Sequence, residues 1–172
     1  MRRLFQTVCC VVAGLSAGIA AATAQPAGCT AGPSAATAQT LRCGGVIIVA
    51  ENGAQYTMLD RDGNGIVDGI ELRSKTVLVD APKQRAGTRF EVITPQAIAA
   101  VRGTKWAVDA QDGRTAVFVF GGQVDVRRRA GRSRVVLGPG EGVDVEQGAA
   151  APLVVRRWPQ PRVAGLLARL GQ

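Results

Sequence analysis

The chain has 172 residues, with 21 Lys and Arg against 13 Asp and Glu, no His and four Cys. That length suits one domain with a sizeable core, and the missing histidine excludes Ser/His and Cys/His nucleophile pairs and every His-ligated zinc or iron site. Only 4% aromatics beside 22 Gly favours short strands and turns over a helical bundle, and the formal charge of +8 points to an anionic partner only for a chain kept in the cytoplasm.

The N-terminus predicts export instead. Arg2 and Arg3 precede an apolar, small-residue run from Val8 to Ala22, which ends in Ala22-Thr23-Ala24 before Gln25. This is the charged, apolar and small-residue order of a secretory signal peptide over residues 1–24, with an uncleaved anchor as the other reading. Cleavage removes Cys9 and Cys10, leaves Cys29 and Cys43, and lowers the formal charge to +6 through loss of Arg2 and Arg3. In an oxidising compartment the remaining pair reads as one disulfide tethering a lead-in over 25–43, the alternative being two free buried thiols.

From Gly44 onward the pattern is β. Val46-Ile47-Ile48-Val49 runs into Glu51-Asn52-Gly53, an Asn-Gly hairpin signal that predicts Tyr56 to Leu59 as the partner strand. Thr76 to Val79 is a further run, followed by Phe90 to Ile93, Ile98 to Val101, Trp106 to Val108, Ala116 to Phe120, Val124 to Val126, Val135 to Leu137 and Val143 to Val145. Glycine-bearing turns separate them, a spacing typical of a sandwich or barrel. Val117 to Phe120 is apolar throughout and predicts a strand covered on both faces, whereas Val124/Val126 and Val143/Val145 alternate with polar residues and predict one wet face. Trp106 reads as a core anchor. Val163, Leu166, Leu167 and Leu170 recur at helical spacing after Pro159 and Pro161, so 162–170 reads as a short amphipathic helix at the sheet edge within a tail over 149–172.

One segment carries a chemical constellation. Asp60-Arg61-Asp62-Gly63-Asn64-Gly65-Ile66-Val67-Asp68-Gly69-Ile70-Glu71 matches the twelve-residue calcium loop. Oxygen ligands fall at Asp60, Asp62, Asn64, Asp68 and Glu71, and Ile66 offers its carbonyl. Gly65 sits where the chain must turn sharply, and Val67 is the apolar peg. The flanks read as strands, so the expectation is a structural Ca2+ loop between strands, the bland alternative being a polar turn that holds no metal. Arg127, Arg128, Arg129, Arg132 and Arg134 form a cationic hairpin, read either as an anion-binding surface or as a solvated tip that protects a sheet edge.

Three blocks occur in order: Val101-Arg102-Gly103-Thr104 with Trp106-Ala107-Val108; Val117, Val119, Gly122, Val124 and Val126; and Val136-Leu137-Gly138-Pro139-Gly140-Glu141-Gly142-Val143 with Val145. Together they resemble the FecR domain family, closely over 88–146 and loosely over 44–87. The resemblance implies a periplasmic β-rich domain, best known from regulators that pass an outer-membrane transport signal to a sigma factor. Those regulators carry a cytoplasmic sigma-binding segment and a transmembrane helix ahead of the domain. Here a signal peptide stands in that place, so a freestanding exported FecR-like domain over 44–148 is expected.

The combined expectation is an all-β sandwich or roll of short, mostly antiparallel strands with a short C-terminal helix. Its function is expected to be that of a periplasmic binding or sensory-accessory module for a protein or envelope ligand. The alternatives are a structural envelope protein and an anionic polysaccharide binder. No nucleophile-base pair is present for an enzyme, leaving only a carboxylate site within Asp60 to Glu71. Nucleic acid is disfavoured by export and by the lack of aromatics among the arginines.

Overall fold

A computed structural model describes residues 28–82 and 89–172; the predicted signal peptide lies outside them. Thirteen strands and one helix follow in chain order: β1 (Cys29–Ala31), β2 (Ala38–Cys43), β3 (Val46–Glu51), β4 (Gln55–Leu59), β5 (Gly69–Ala81), β6 (Phe90–Ile93), β7 (Ala97–Val101), β8 (Thr104–Gln111), β9 (Arg114–Gly121), β10 (Val124–Arg128), β11 (Arg134–Leu137), β12 (Glu141–Glu146), β13 (Arg156–Arg157) and α1 (Gln160–Arg169). The all-β class with a short C-terminal helix is as expected.

The long strand β5 organises the fold because it belongs to two sheets. Its first half pairs antiparallel with β4 and parallel with β6, beginning a sheet that continues through β7 and β10 to β11. Its second half lies between β3 and β8 in the other sheet, which runs β1-β2-β3-β5-β8-β9-β12-β13. Lys75 marks the corner with φ +67, a left-handed conformation that an L side chain adopts at a cost. Local contacts offset it: the Lys75 ammonium donates to the Asn52 carbonyl, and the Thr76 amide donates to Glu51 Oε2 at 3.1 Å.

That corner lays the two sheets face to face. Ile48, Val77, Val79, Trp106, Val117 and Val119 from one meet Ile70, Leu72, Val92, Val124 and Val126 from the other in one buried cluster. Trp106 is fully buried, with Phe90 edge-on at 6.1 Å between ring centroids. The alternation read at Val124/Val126 and Val143/Val145 holds, since all four valines are buried while Asp125 and Asp144 stay partly exposed.

A second apolar cluster lies on the outer face of the larger sheet. Ala38, Val49, Leu78, Ala107 and Phe118 pack there against Leu166 and Leu170. The helix therefore covers a sheet face, in contrast to the edge position predicted, and it begins two residues earlier than predicted, with Pro159 as its N-cap. It explains why β9 is apolar at consecutive positions: Val117 and Val119 face the inner core, and Phe118 faces the helix side. Arg169 fixes the far end by donating to Asp109 at 3.2 and 2.9 Å, while Arg162 donates to Asp144 at 2.9 and 2.5 Å. Arg162 also stacks over Trp158, which in turn stacks on Phe118 at 5.0 Å.

Two further expectations are corrected. Asn52-Gly53 does turn, with Gly53 at φ +75 and the Ala54 amide bonded to the Glu51 carbonyl at 2.9 Å, but β3 and β4 do not pair with each other. β3 is buried on both faces and takes an interior place between β2 and β5; half-exposed β4 goes to the edge of the smaller sheet. The lead-in is more ordered than an extended tether, because β1 and β2 add two strands to the larger sheet. The Cys29–Cys43 disulfide joins directly opposed residues of that pair.

Candidate functional site

The β4–β5 hairpin carries the Asp60–Glu71 segment at its tip, so the loop lies between strands as expected. Gly65 has φ +82, the sharp turn its position requires, and Val67 is 4% exposed in the main core. These two residues fold the loop back on itself. Asp60 accepts the Gly65 amide at 2.8 Å and the Asn64 amide at 3.1 Å, while Asn64 bridges from Asp62 Oδ2, at 2.8 Å, to the Ile66 amide, at 2.7 Å.

The remaining ligand positions are engaged elsewhere. Asp68 accepts Arg61 Nε at 3.0 Å and the Arg61 amide at 3.2 Å, and Arg61 continues to Glu91 at 2.5 Å. Glu71 is already in β5, 4.0 Å from Arg73. The fold thus brings Asp60, Asp62 and Asn64 together and holds Asp68 on Arg61. Among the described residues no three His, Cys, Asp or Glu side chains are drawn together as a preformed metal cluster.

The hydrogen bond from the Gly65 amide is the main reason the Asp60 carboxyl is held below its usual value; Asp62, Asn64 and Gly63 add to it, against a smaller desolvation effect. A depressed folded-state value stabilises the fold above the unfolded-state pKa near 3.9 and is lost as pH falls through the folded-state value. Asp60→Asn is therefore expected to flatten the loss of stability below about pH 4. Urea denaturation across that acid range checks the slope; parallel wild-type and variant profiles would refute it.

The five arginines do lie on one hairpin, β10–β11, but three are structural. Arg134 forks onto Asp125, with Nε at 2.7 and 2.9 Å from the two carboxylate oxygens, and this hydrogen bonding raises the guanidinium pKa. Arg128 donates to the carbonyls of Glu146 at 2.6 Å and Ala151 at 3.1 Å, tying down the segment after β12. Arg129 donates to the Thr94 carbonyl at 3.3 Å. Arg127 and Arg132 are exposed and have no side-chain partner among the described residues. Sequence reasoning missed Gln96 and Glu146, which border a cavity of about 410 Å³ beside the hairpin tip; Gln96 is signalled only by its place after the Thr94-Pro95 turn.

A family model described as FecR protein matches residues 43–125. Over residues 43–125 the chain is similar to FecR proteins. The FecR match includes the part where the resemblance was loosest and stops before the third block around Gly138 to Val145. Two crystal structures of a candidate anti-sigma factor from Parabacteroides distasonis share the fold. One has 20% identity and a TM-score of 0.62, covering 81% of this chain and 64% of that one. The other has 21% identity and a TM-score of 0.56, covering 72% and 56%. The chain thus spans less than two thirds of either relative. No curated protein matches it. No described helix is long and apolar enough to cross a membrane.

Proposed function

We propose that the FecR-like chain is an exported, non-enzymatic recognition module that binds a protein of the cell envelope and contributes to regulation or sensing. The family match over 43–125 carries this reading. The disulfide supports the oxidising compartment that the signal peptide predicts. Cross-linking in intact envelopes followed by affinity capture tests it. A membrane receptor trapped specifically supports a sensory module, whereas capture of only an abundant structural component supports the alternative of a structural envelope protein.

Within this module the Asp60–Glu71 loop is proposed to take a structural Ca2+. The support is the complete ligand order together with the turn at Gly65 and the buried peg at Val67. Asp60, Asp62, Asn64, the Ile66 carbonyl and Glu71 would bind directly, and Asp68 could keep Arg61 and contribute through water, as position 9 often does. The ion would offset repulsion among the loop carboxylates and fasten β4 to β5. Millimolar calcium is expected to raise the melting temperature and a chelator to lower it. Identical melting curves would remove the ion from this reading.

A further inference from the structure

The cavity at the tip of the β10–β11 hairpin is bounded by the β6–β7 turn, the hairpin tip at 130–133 and the segment 146–150. Its volume, about 410 Å³, is within the range of sites that enclose small ligands or a few residues of a peptide. Gly131, Gly148 and Ala149 make its walls low, and no aromatic ring lines it. Backbone groups are therefore accessible, and a sugar ring would find no face to stack upon.

Gln96, Arg128, Arg132, Ser133, Glu146 and Gln147 supply the polar side chains of the lining. Gln96 is only 8% exposed; its Oε1 lies 2.8 Å from the Thr115 hydroxyl, which shares its single proton between Gln96 and Thr94 Oγ1, also at 2.8 Å, and the Gln96 side-chain NH2 has no partner among the described residues. Arg132 brings a second free donor group from the tip. The buried Arg128 Nε is likewise unpartnered, although the same side chain is anchored through its two other nitrogens. Against these stands one carboxylate, that of exposed Glu146, also without a side-chain partner among the described residues.

We infer that this cavity binds an acidic peptide segment of a protein partner, with a carboxylate held by Arg132 and the Gln96 amide. A peptide N–H would answer Glu146, an acceptor that inorganic phosphate would repel. The inference rests on the recognition reading above and specifies the chemistry of the partner. It also reduces the five-arginine surface to the one arginine that is both free and at the cavity.

The full chain is titrated with an acetylated, amidated tetraglutamate peptide, with tetragalacturonate and inorganic phosphate as parallel arms, and backbone amide NMR shifts are followed. Saturable shifts at Gly131 and Gly148 are expected with the peptide. Arg132→Glu should weaken binding at least tenfold, and Arg127→Glu, outside the cavity, less than twofold, with both variants melting as the wild type does. Absence of saturable shifts at those glycines, equal loss in the two variants, or tighter binding of either other probe there would overturn the site. A partner cross-linked equally by wild type and Arg132→Glu also overturns it while leaving the recognition reading intact. Peptide binding as expected with no envelope partner captured would overturn that reading alone.

Discussion

Trp106→Ala is expected to cost about 3–5 kcal/mol, the range for truncating a large buried aromatic ring, and to lower the melting temperature by roughly 8–15 °C in a domain of this size. The indole is fully buried in β8, opposite Val79 on one side and Val119 on the other, and it abuts Phe90 from the second sheet. Its removal leaves a void between sheets whose backbones are fixed on both sides, so little collapse is available to relieve it. Trp106→Phe should be much milder, about 1–2 kcal/mol, because it keeps most of the ring volume and removes an indole N–H that has no partner. Thermal melts of both variants give the comparison. Equal losses would show that ring volume is not what the site requires.

The sequence made this core legible because side-chain period translates directly into burial in a two-layer β fold. Val143-Asp144-Val145 alternates in sequence and in the structure. Val117 to Phe120 does not alternate, and its outer face proves to be covered by α1 and Trp158. Strand pairing was less legible. Asn52-Gly53 has the chemistry of a hairpin turn, but a turn sets only local direction; the partner was decided by burial on both faces of β3 and by the corner at Lys75. Nothing in the residue type of Lys75 announces a positive φ, since the contacts that hold it come from Glu51 and Asn52, more than twenty positions away. Ala38-Gln-Thr-Leu-Arg-Cys43 was missed as a strand for a related reason: it carries few apolar residues, with Leu41 and Cys43 in the main core and Ala38 on the helix side, and it pairs along its whole length with β3.

The candidate sites show the same division. The calcium-loop spacing, the positive φ at Gly65 and the Arg61–Asp68 pair all arise within the loop, whereas the engagement of Arg61 by Glu91 depends on β6 lying parallel beside β5. Likewise, five arginines on a hairpin are visible in the sequence, but the carbonyls of Thr94, Glu146 and Ala151 that occupy two of them are not. A backbone acceptor has no residue-type signature, so the two free arginines, Arg127 and Arg132, could be singled out only from the fold.

Reducing the Cys29–Cys43 disulfide, or replacing both residues by serine, is expected to remove about 3 kcal/mol and lower the melting temperature by roughly 6–12 °C. The cross-link spans a separation of 14 residues, and in the chain-entropy view its main effect is to restrict the unfolded ensemble. β1 has only three residues and pairs with β2 alone, so its own contacts contribute little to offset the loss. Cys43 is fully buried and Cys29 nearly so, which means that serine at either position also buries a hydroxyl in the main cluster. Reduction of the native chain separates these effects: it removes the cross-link without adding the hydroxyls and should therefore account for most, but not all, of the double-variant loss. Hydrogen exchange should quicken first across residues 29–43, with β8 and β9 remaining protected until global unfolding. If reduction leaves both the melting temperature and that exchange pattern unchanged, the cross-link does not constrain the domain, and the argument from disulfide to exported compartment loses its physical basis.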